Sequence, residues 1–298
     1  MKSCQVLKSA SKWSYEIEPN TFLRGLDMRQ PDRATLHFLH GIAFSGAVYW
    51  PLLKPLTEQY GLFTQDYQGH GESDLCKEFG GWQGAIDHVQ SVMQDQNVNN
   101  QDSPLIGFGH SYGASLSLIM AAKDENLFSS LILLDPMIFP QTMLDMLDTM
   151  PEGQNPMTER IVNRISQWPS RKDAKEYFAS KKAFREWRDD GLESFLDYTL
   201  KEEPASGEMS LVCPPSLEAQ FVGSPLMTIW QAIDTVKIPT VMIHSEDDAS
   251  PLRQSCIEAS KRNPNIQAVE MKGGHNFMQE HPQDTLEVVR EYLQRFTQ

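Results

Sequence analysis

The sequence predicts an α/β fold: a mostly parallel, eight-stranded sheet flanked by helices, with a helical segment inserted after the sixth strand. Three observations carry this. Short apolar runs rich in β-branched residues recur along the chain, each closed by Gly, Pro, Asn or Asp and followed by helical spacing, which is how buried parallel strands alternate with covering helices. One long stretch, 136–235, breaks that rhythm. The composition, 40% hydrophobic and 22% charged over 298 residues, suits one large globular domain carrying an insertion.

Taken in order, strands are expected at 14–18, 21–26, 35–39, 62–67, 105–109, 131–134, 240–244 and 266–271. The run from Leu131 to Leu134 holds no polar residue, as a strand covered on both faces requires. Helices are expected at 48–60, 82–96, 112–123, 252–261 and 282–296, where apolar residues recur on one face. Segment 136–235 offers no convincing strand. It holds short amphipathic pieces punctuated by Pro151, Pro156, Pro169, Pro204, Pro214, Pro215 and Pro225, and is expected to be a helical cap at one end of the sheet. Residues 1–135 and 236–298 then form the core domain. Within the insertion, the mixed charges of 171–188 read as a solvated helix face.

The charge balance narrows the partners. With 26 Lys plus Arg against 40 Asp plus Glu, the net charge of −14 disfavours nucleic acid and anionic membrane surfaces. No apolar run approaches the roughly 18 to 20 residues that span a bilayer, so no integral membrane segment is expected. The first residues carry lysines but no apolar central run, so no secretory leader is expected and the cytoplasm is the expected location. Cys4, Cys76, Cys213 and Cys256 show no C-x-x-C spacing and are expected to stay reduced. There is no H-E-x-x-H, and His37 and His40 lie where a strand meets its loop, so no metal and no cofactor are expected.

The chemistry centres on Gly109-His110-Ser111-Tyr112-Gly113, which follows an apolar strand and opens a helix. A G-x-S-x-G in that setting bends the chain sharply enough to stand a serine hydroxyl off the sheet edge, beside the positive end of a helix. A hydroxyl is a weak nucleophile and needs a base and a group to orient the base. His275, in Gly273-Gly274-His275-Asn276-Phe277 just beyond the last strand, is the candidate base. The orienting acid is sought at the end of the preceding strand, where Glu246, Asp247 and Asp248 are adjacent. Asp248, the fourth residue counted from Ser245, is expected to fill the role; counting back from Pro251 favours Asp247 instead.

With this order of serine, acid and histidine, the chain resembles the α/β-hydrolase superfamily over nearly its whole length. Supporting marks are His40-Gly41 after the third strand, the Asp66 to Asp74 loop after the fourth, read as structural, and Gly274-His275 through Pro282 near the end. The resemblance implies a cap after the sixth strand. It also implies an oxyanion hole made by the backbone N–H of Tyr112 and one from the loop after Gly41, that of Ile42 with Ala43 as the alternative. Ile42 and Ala43 stand where many lipases and esterases carry glycines, which argues against bulky tertiary-alcohol esters. Serine at the elbow disfavours dehalogenase and epoxide-hydrolase chemistry, which use aspartate there.

The function implied is hydrolysis of a carboxylic ester or thioester with a small to medium apolar acyl group, through an acyl-enzyme. Carbon–carbon bond hydrolysis, perhydrolysis, acyl transfer to an alcohol and a non-catalytic ligand receptor of the same fold stay open. The methionine-rich stretch 137–150 reads as acyl-pocket lining or as the cap's own core, with His110, Met137 and Phe139 as the expected substrate-binding residues. The expected partner is a small-molecule acyl ester; a homodimer is left open.

Overall fold

The computed structural model describes residues 10–98, 103–150 and 155–297; Cys4 and Pro151, weighed above, lie outside them. Strand β1 (Ser11–Glu18) pairs antiparallel with β2 (Thr21–Asp27), and Asn20 at φ 61° closes the hairpin between them. Then come β3 (Thr35–Leu39), helix α1 (Trp50–Leu53), β4 (Gly61–Asp66), α2 (Gly81–Asp95), β5 (Leu105–His110), α3 (Tyr112–Lys123) and β6 (Ser130–Leu134). The chain next leaves the sheet through α4 (Gln141–Thr149), α5 (Pro156–Val162), β7 (Gln167–Trp168), α6 (Arg171–Ala179), α7 (Asp189–Thr199), β8 (Leu200–Glu202), β9 (Met209–Leu211), α8 (Pro215–Gly223) and α9 (Ile229–Thr235). It returns with β10 (Thr240–Ser245), α10 (Pro251–Arg262), β11 (Ile266–Met271), α11 (Phe277–Glu280) and α12 (Pro282–Thr297).

The eight-stranded sheet runs β1-β2-β4-β3-β5-β6-β10-β11, antiparallel through β1, β2 and β4 and parallel from β4 onward. Alternate residues enter opposite cores, and both cores are apolar. Leu36, Phe38, Ile132, Leu134, Val241 and Ile243 face one side with α1 and α12; Leu39, Leu131, Leu133 and Met242 face the other with α2 and α3. That is why the central strands read as continuous hydrophobic runs. Helix α12 buries Leu286, Val289 and Leu293 at helical spacing, each worth about 2 kcal/mol of apolar burial.

Two expectations change. The helix expected over 48–60 is three short pieces: a 3-10 turn at Gly46–Tyr49, α1, and a second 3-10 turn at Lys54–Leu56. Pro51 and Pro55 explain the breaks, since each lacks an N–H to continue the ladder and Pro55 would crowd the carbonyl of residue 51. The segment after β6 is not purely helical either: β7, β9 and β8 form a small antiparallel sheet. This segment is tied to the core near its middle. Arg188 N–H donates to Gln279 O of α11 at 3.1 Å, and Gln279 Nε2 donates to Val48 O at 3.3 Å.

Because the chain winds from β3 outward to β4 and then crosses back to β5, the carboxyl ends of β3 and β5 flank a crevice. Ligand sites in open parallel sheets form at such reversals.

Candidate active site

Ser111 joins β5 to α3 at φ 52° and ψ −115°, a backbone conformation that an L-residue holds only under constraint. The constraint is local. Ser111 N–H donates to Leu134 O at 2.9 Å, and Met137 N–H donates to Ser111 O at 3.1 Å. A Cβ on Gly109 would lie 2.7 Å from Ala114 N, and one on Gly113 would lie 2.2 Å from Leu39 O. Glycine at both places therefore lets strand, helix and the neighbouring β3 close together. The turn leaves Ser111 Oγ at the carboxyl edge of the sheet, where α3 begins.

His275 arrives on the loop after β11, the edge strand beyond β6 and β10 on the same side of the reversal as β5. Its backbone is tied at successive residues: Gly273 N–H donates to Glu246 Oε1 at 3.0 Å and Gly274 N–H to Glu280 Oε2 at 2.8 Å. The imidazole Nε2 lies 3.0 Å from Ser111 Oγ, and Nδ1 lies 2.6 Å from Asp135 Oδ2. Asp135 directly follows β6, is fully buried, and accepts Ser245 N–H on its other oxygen at 3.0 Å. A carboxylate only accepts, so Nδ1 carries the ring proton and Nε2 faces the serine hydroxyl with a free lone pair.

The carboxylate that meets His275 is thus not the one expected. The Asp248 side chain is 89% exposed and pairs with Arg253 at 3.1 Å. Asp247 is an exposed turn residue whose carboxylate accepts Ala249 N–H at 3.0 Å. Neither meets His275. Strand β6 lies between β5 and β10, so a carboxylate at the end of β6 stands closer to Ser111 than one beyond β10. The signal in the sequence was a single acid set between the apolar run Leu131 to Leu134 and Pro136.

Facing Ser111 is the loop after β3. Phe44 N–H bonds back to Gly41 O at 3.2 Å, and Ala43 has φ 67°, the mark of a type II turn over Gly41-Ile42-Ala43-Phe44. Ala43 N–H is already committed, donating to His70 Nε2 at 3.0 Å. No partner takes Ile42 N–H among the described residues, and Tyr112 N–H, in the first turn of α3, has no carbonyl one turn back. Two buried imidazoles brace the loop. Tyr67 N–H donates to His40 Nε2 at 3.2 Å, and His40 Nδ1–H donates to Gly41 O at 2.8 Å. His70 Nδ1–H donates to Gln68 O at 2.9 Å. Burial lowers both pKa values, that of His70 to about 4, so both rings are neutral near pH 7. Asp66 holds the far end of the loop by accepting Gly46 N–H at 2.9 Å, and burial raises its carboxyl pKa to about 7.

His110 was expected to touch substrate, and the structure places it elsewhere. The ring is buried, with Nδ1 at 2.7 Å from Tyr49 Oη and Nε2 at 2.9 Å from His275 O, so it has no polar atom left for a ligand. Met137 and Phe139 are half-buried beyond β6 and pack against the core; Trp230 Nε1 donates to Phe139 O at 2.9 Å. Among the described residues no group of three or more His, Cys, Asp or Glu is placed to hold a metal ion, and no helix is long and apolar enough to cross a membrane.

Residues 38–288 match the family model of the alpha/beta hydrolases. The chain belongs to the alpha/beta hydrolase family. Among curated relatives, the abhydrolase domain-containing protein AFT2-1 of Alternaria alternata is 34% identical over 107 residues, 36% of this chain and 37% of that protein. The match to that relative thus spans little more than a third of its length. The 2-(acetamidomethylene)succinate hydrolase of Mesorhizobium japonicum is 23% identical over 264 residues, 86% of each chain. A crystal structure of E-2-(acetamidomethylene)succinate hydrolase superposes with a TM-score of 0.77 at 20% identity, covering 96% of this chain and 99% of that one, a likeness of fold.

Proposed function

We propose that this family member is a serine hydrolase that cleaves a carboxylic ester or thioester of a small to medium apolar acyl group. The observation that carries the proposal is the unbroken relay from Asp135 Oδ2 to His275 Nδ1 at 2.6 Å and from His275 Nε2 to Ser111 Oγ at 3.0 Å. Ser111 attacks the carbonyl while His275 takes its proton, and Asp135 holds the imidazole in the tautomer able to do so. The N–H groups of Tyr112 and Ile42 receive the oxyanion, a role open to Ile42 because Ala43 N–H is spent on His70. His275 gives that proton to the departing alcohol or thiol as the acyl-enzyme forms, and water activated by the same histidine then cleaves the acyl–serine bond, freeing the acid and restoring Ser111. In this reading residues 136–235 act as a cap over the crevice, and the half-buried Ile42, Phe44, Met137 and Phe139 supply apolar surface for the acyl chain. The relative named a hydrolase supports hydrolysis over transfer to an alcohol.

The test combines a fluorophosphonate probe with a panel of p-nitrophenyl esters and acyl thioesters of increasing chain length. Covalent labelling at Ser111 and turnover of the shorter members are expected. Folded protein that neither labels nor turns over would favour a ligand-binding role for the same fold.

A further inference from the structure

The imidazole of His110, the residue before the nucleophile, joins two loops that the reaction depends on. Its hydrogen bonds admit one assignment. His275 O can only accept, so His110 Nε2 carries the proton and donates to it at 2.9 Å. Nδ1 is then bare and accepts Tyr49 Oη–H at 2.7 Å. Tyr49 Oη in turn accepts Gly41 N–H at 3.1 Å. Every donor in this chain faces an acceptor, and His110 and Tyr49 are shut away from solvent. The fit is close: a Cβ on Gly41 would lie 2.8 Å from His110 Nδ1 and 3.2 Å from Tyr49 Oη. Burial and the neighbouring His275 both lower the pKa of His110, and burial raises that of Tyr49, so the chain is neutral throughout.

We propose that His110 is a positioning residue: with Tyr49 it fixes the His275 main chain and the Gly41 peptide relative to one another, so that the base and the N–H of Ile42 address the same carbonyl carbon and oxygen. The proposal rests on the reading of Ser111 and His275 as nucleophile and base. The geometry explains why this place needs an imidazole. The span from Tyr49 Oη to His275 O requires an acceptor at one end and a donor at the other, held by one rigid ring. The ring must also stay uncharged, because its centroid is 4.7 Å from that of the His275 ring, which becomes positive during turnover.

The experiment measures kcat and KM on a p-nitrophenyl ester for wild type, His110→Phe, His110→Gln and Tyr49→Phe, each normalised to the sites a fluorophosphonate titrates, with the second-order labelling rate of Ser111 and the melting temperature alongside. Phenylalanine keeps the ring and removes both hydrogen bonds. Displacement of the base by about an ångström corresponds to a kcat loss on the order of 100-fold, at a KM within about twofold and with slower labelling. Glutamine restores an acceptor and a donor and should recover kcat to within about tenfold of wild type. Tyr49→Phe, which keeps the His110 ring and loses one hydroxyl, should lower kcat by about threefold to tenfold and serves should His110→Phe not fold. Wild-type kcat per titrated site in His110→Phe, or in Tyr49→Phe where the former does not fold, would overturn the positioning role, as would a loss confined to melting temperature. A wild-type protein that neither labels nor turns over would instead overturn the hydrolase reading beneath it.

Discussion

Replacing Asp135 by asparagine tests the source of the acid more sharply than deleting the side chain, because the two oxygens of Asp135 have unequal obligations. One accepts Ser245 N–H at 3.0 Å, a backbone donor that cannot be turned round. The asparagine carbonyl must take that place, since an NH2 group there would meet a donor. The NH2 then faces His275 Nδ1, now 2.6 Å from a carboxylate oxygen. Nδ1 can keep a favourable contact only by giving up its proton, which moves to Nε2 and leaves nothing to accept the Ser111 hydroxyl proton. The side chain is fully buried, so water cannot rescue the tautomer. Where a triad aspartate is changed in this way the wrong tautomer costs about 10⁴ in kcat, about 5.5 kcal/mol at about 1.4 kcal/mol per decade. Asp248→Asn, on a side chain that is 89% exposed and paired to Arg253, should leave kcat within about twofold. Steady-state hydrolysis of a p-nitrophenyl ester, with circular dichroism to confirm folding, decides the matter. A large kcat loss in Asp248→Asn beside near-normal Asp135→Asn would refute the assignment.

Two further predictions concern backbone and protons. Ser111→Gly should abolish turnover while raising stability by about 1 kcal/mol, because glycine holds φ 52°, ψ −115° without strain; an unchanged or lower unfolding midpoint in urea would contradict that strain. The stability of the wild type should fall as pH drops below about 6.5. His37, His40, His70 and His110 all have lowered pKa values from burial, to about 3 for His37 and about 4 for His70; their contribution is complete above the unfolded value of 6.5 and is lost as pH falls toward and through the folded values. Asp66 works the other way. Its pKa is raised from 3.8 to about 7, so its contribution is complete below 3.8 and is lost as pH rises through 7, opposing the histidines by at most about 1.4 kcal/mol per pH unit. Asp66→Asn should therefore steepen the acid-side loss between pH 4 and 6.5, measured by urea midpoints. An identical slope in the variant would show that Asp66 ionises normally.

Much of the fold was legible because the central strands are covered on both faces and their runs, such as Leu131 to Leu134, admit no other reading. Ser111 and His275 were legible as a pair because each lies in a glycine-flanked loop at the end of a strand. The helix over 48–60 misled because its apolar spacing survives in three separate turns, and only the two prolines betray the breaks. Strands of two or three residues, as in β7, β8 and β9, are too short for alternation to register. Asp135 was passed over because the choice was made by order along the chain, where three carboxylates after β10 outweigh one after β6. Spatial order decides instead, and the adjacency of β6 to β5 belongs to the pairing pattern and not to either strand alone.

The tie through Gln279 bears on how such a protein can change its diet. The segment between β6 and β10 is moored by Arg188 to the short helix that starts two residues after His275, and the same glutamine reaches across to Val48. Exchanging that segment wholesale for one of another shape would tug on the backbone that carries the imidazole. Variation is therefore freest between Phe139 and Arg188, because Met137 N–H holds Ser111 O at one end and, at the other, the stretch that meets Gln279 must travel with the machinery it leans on.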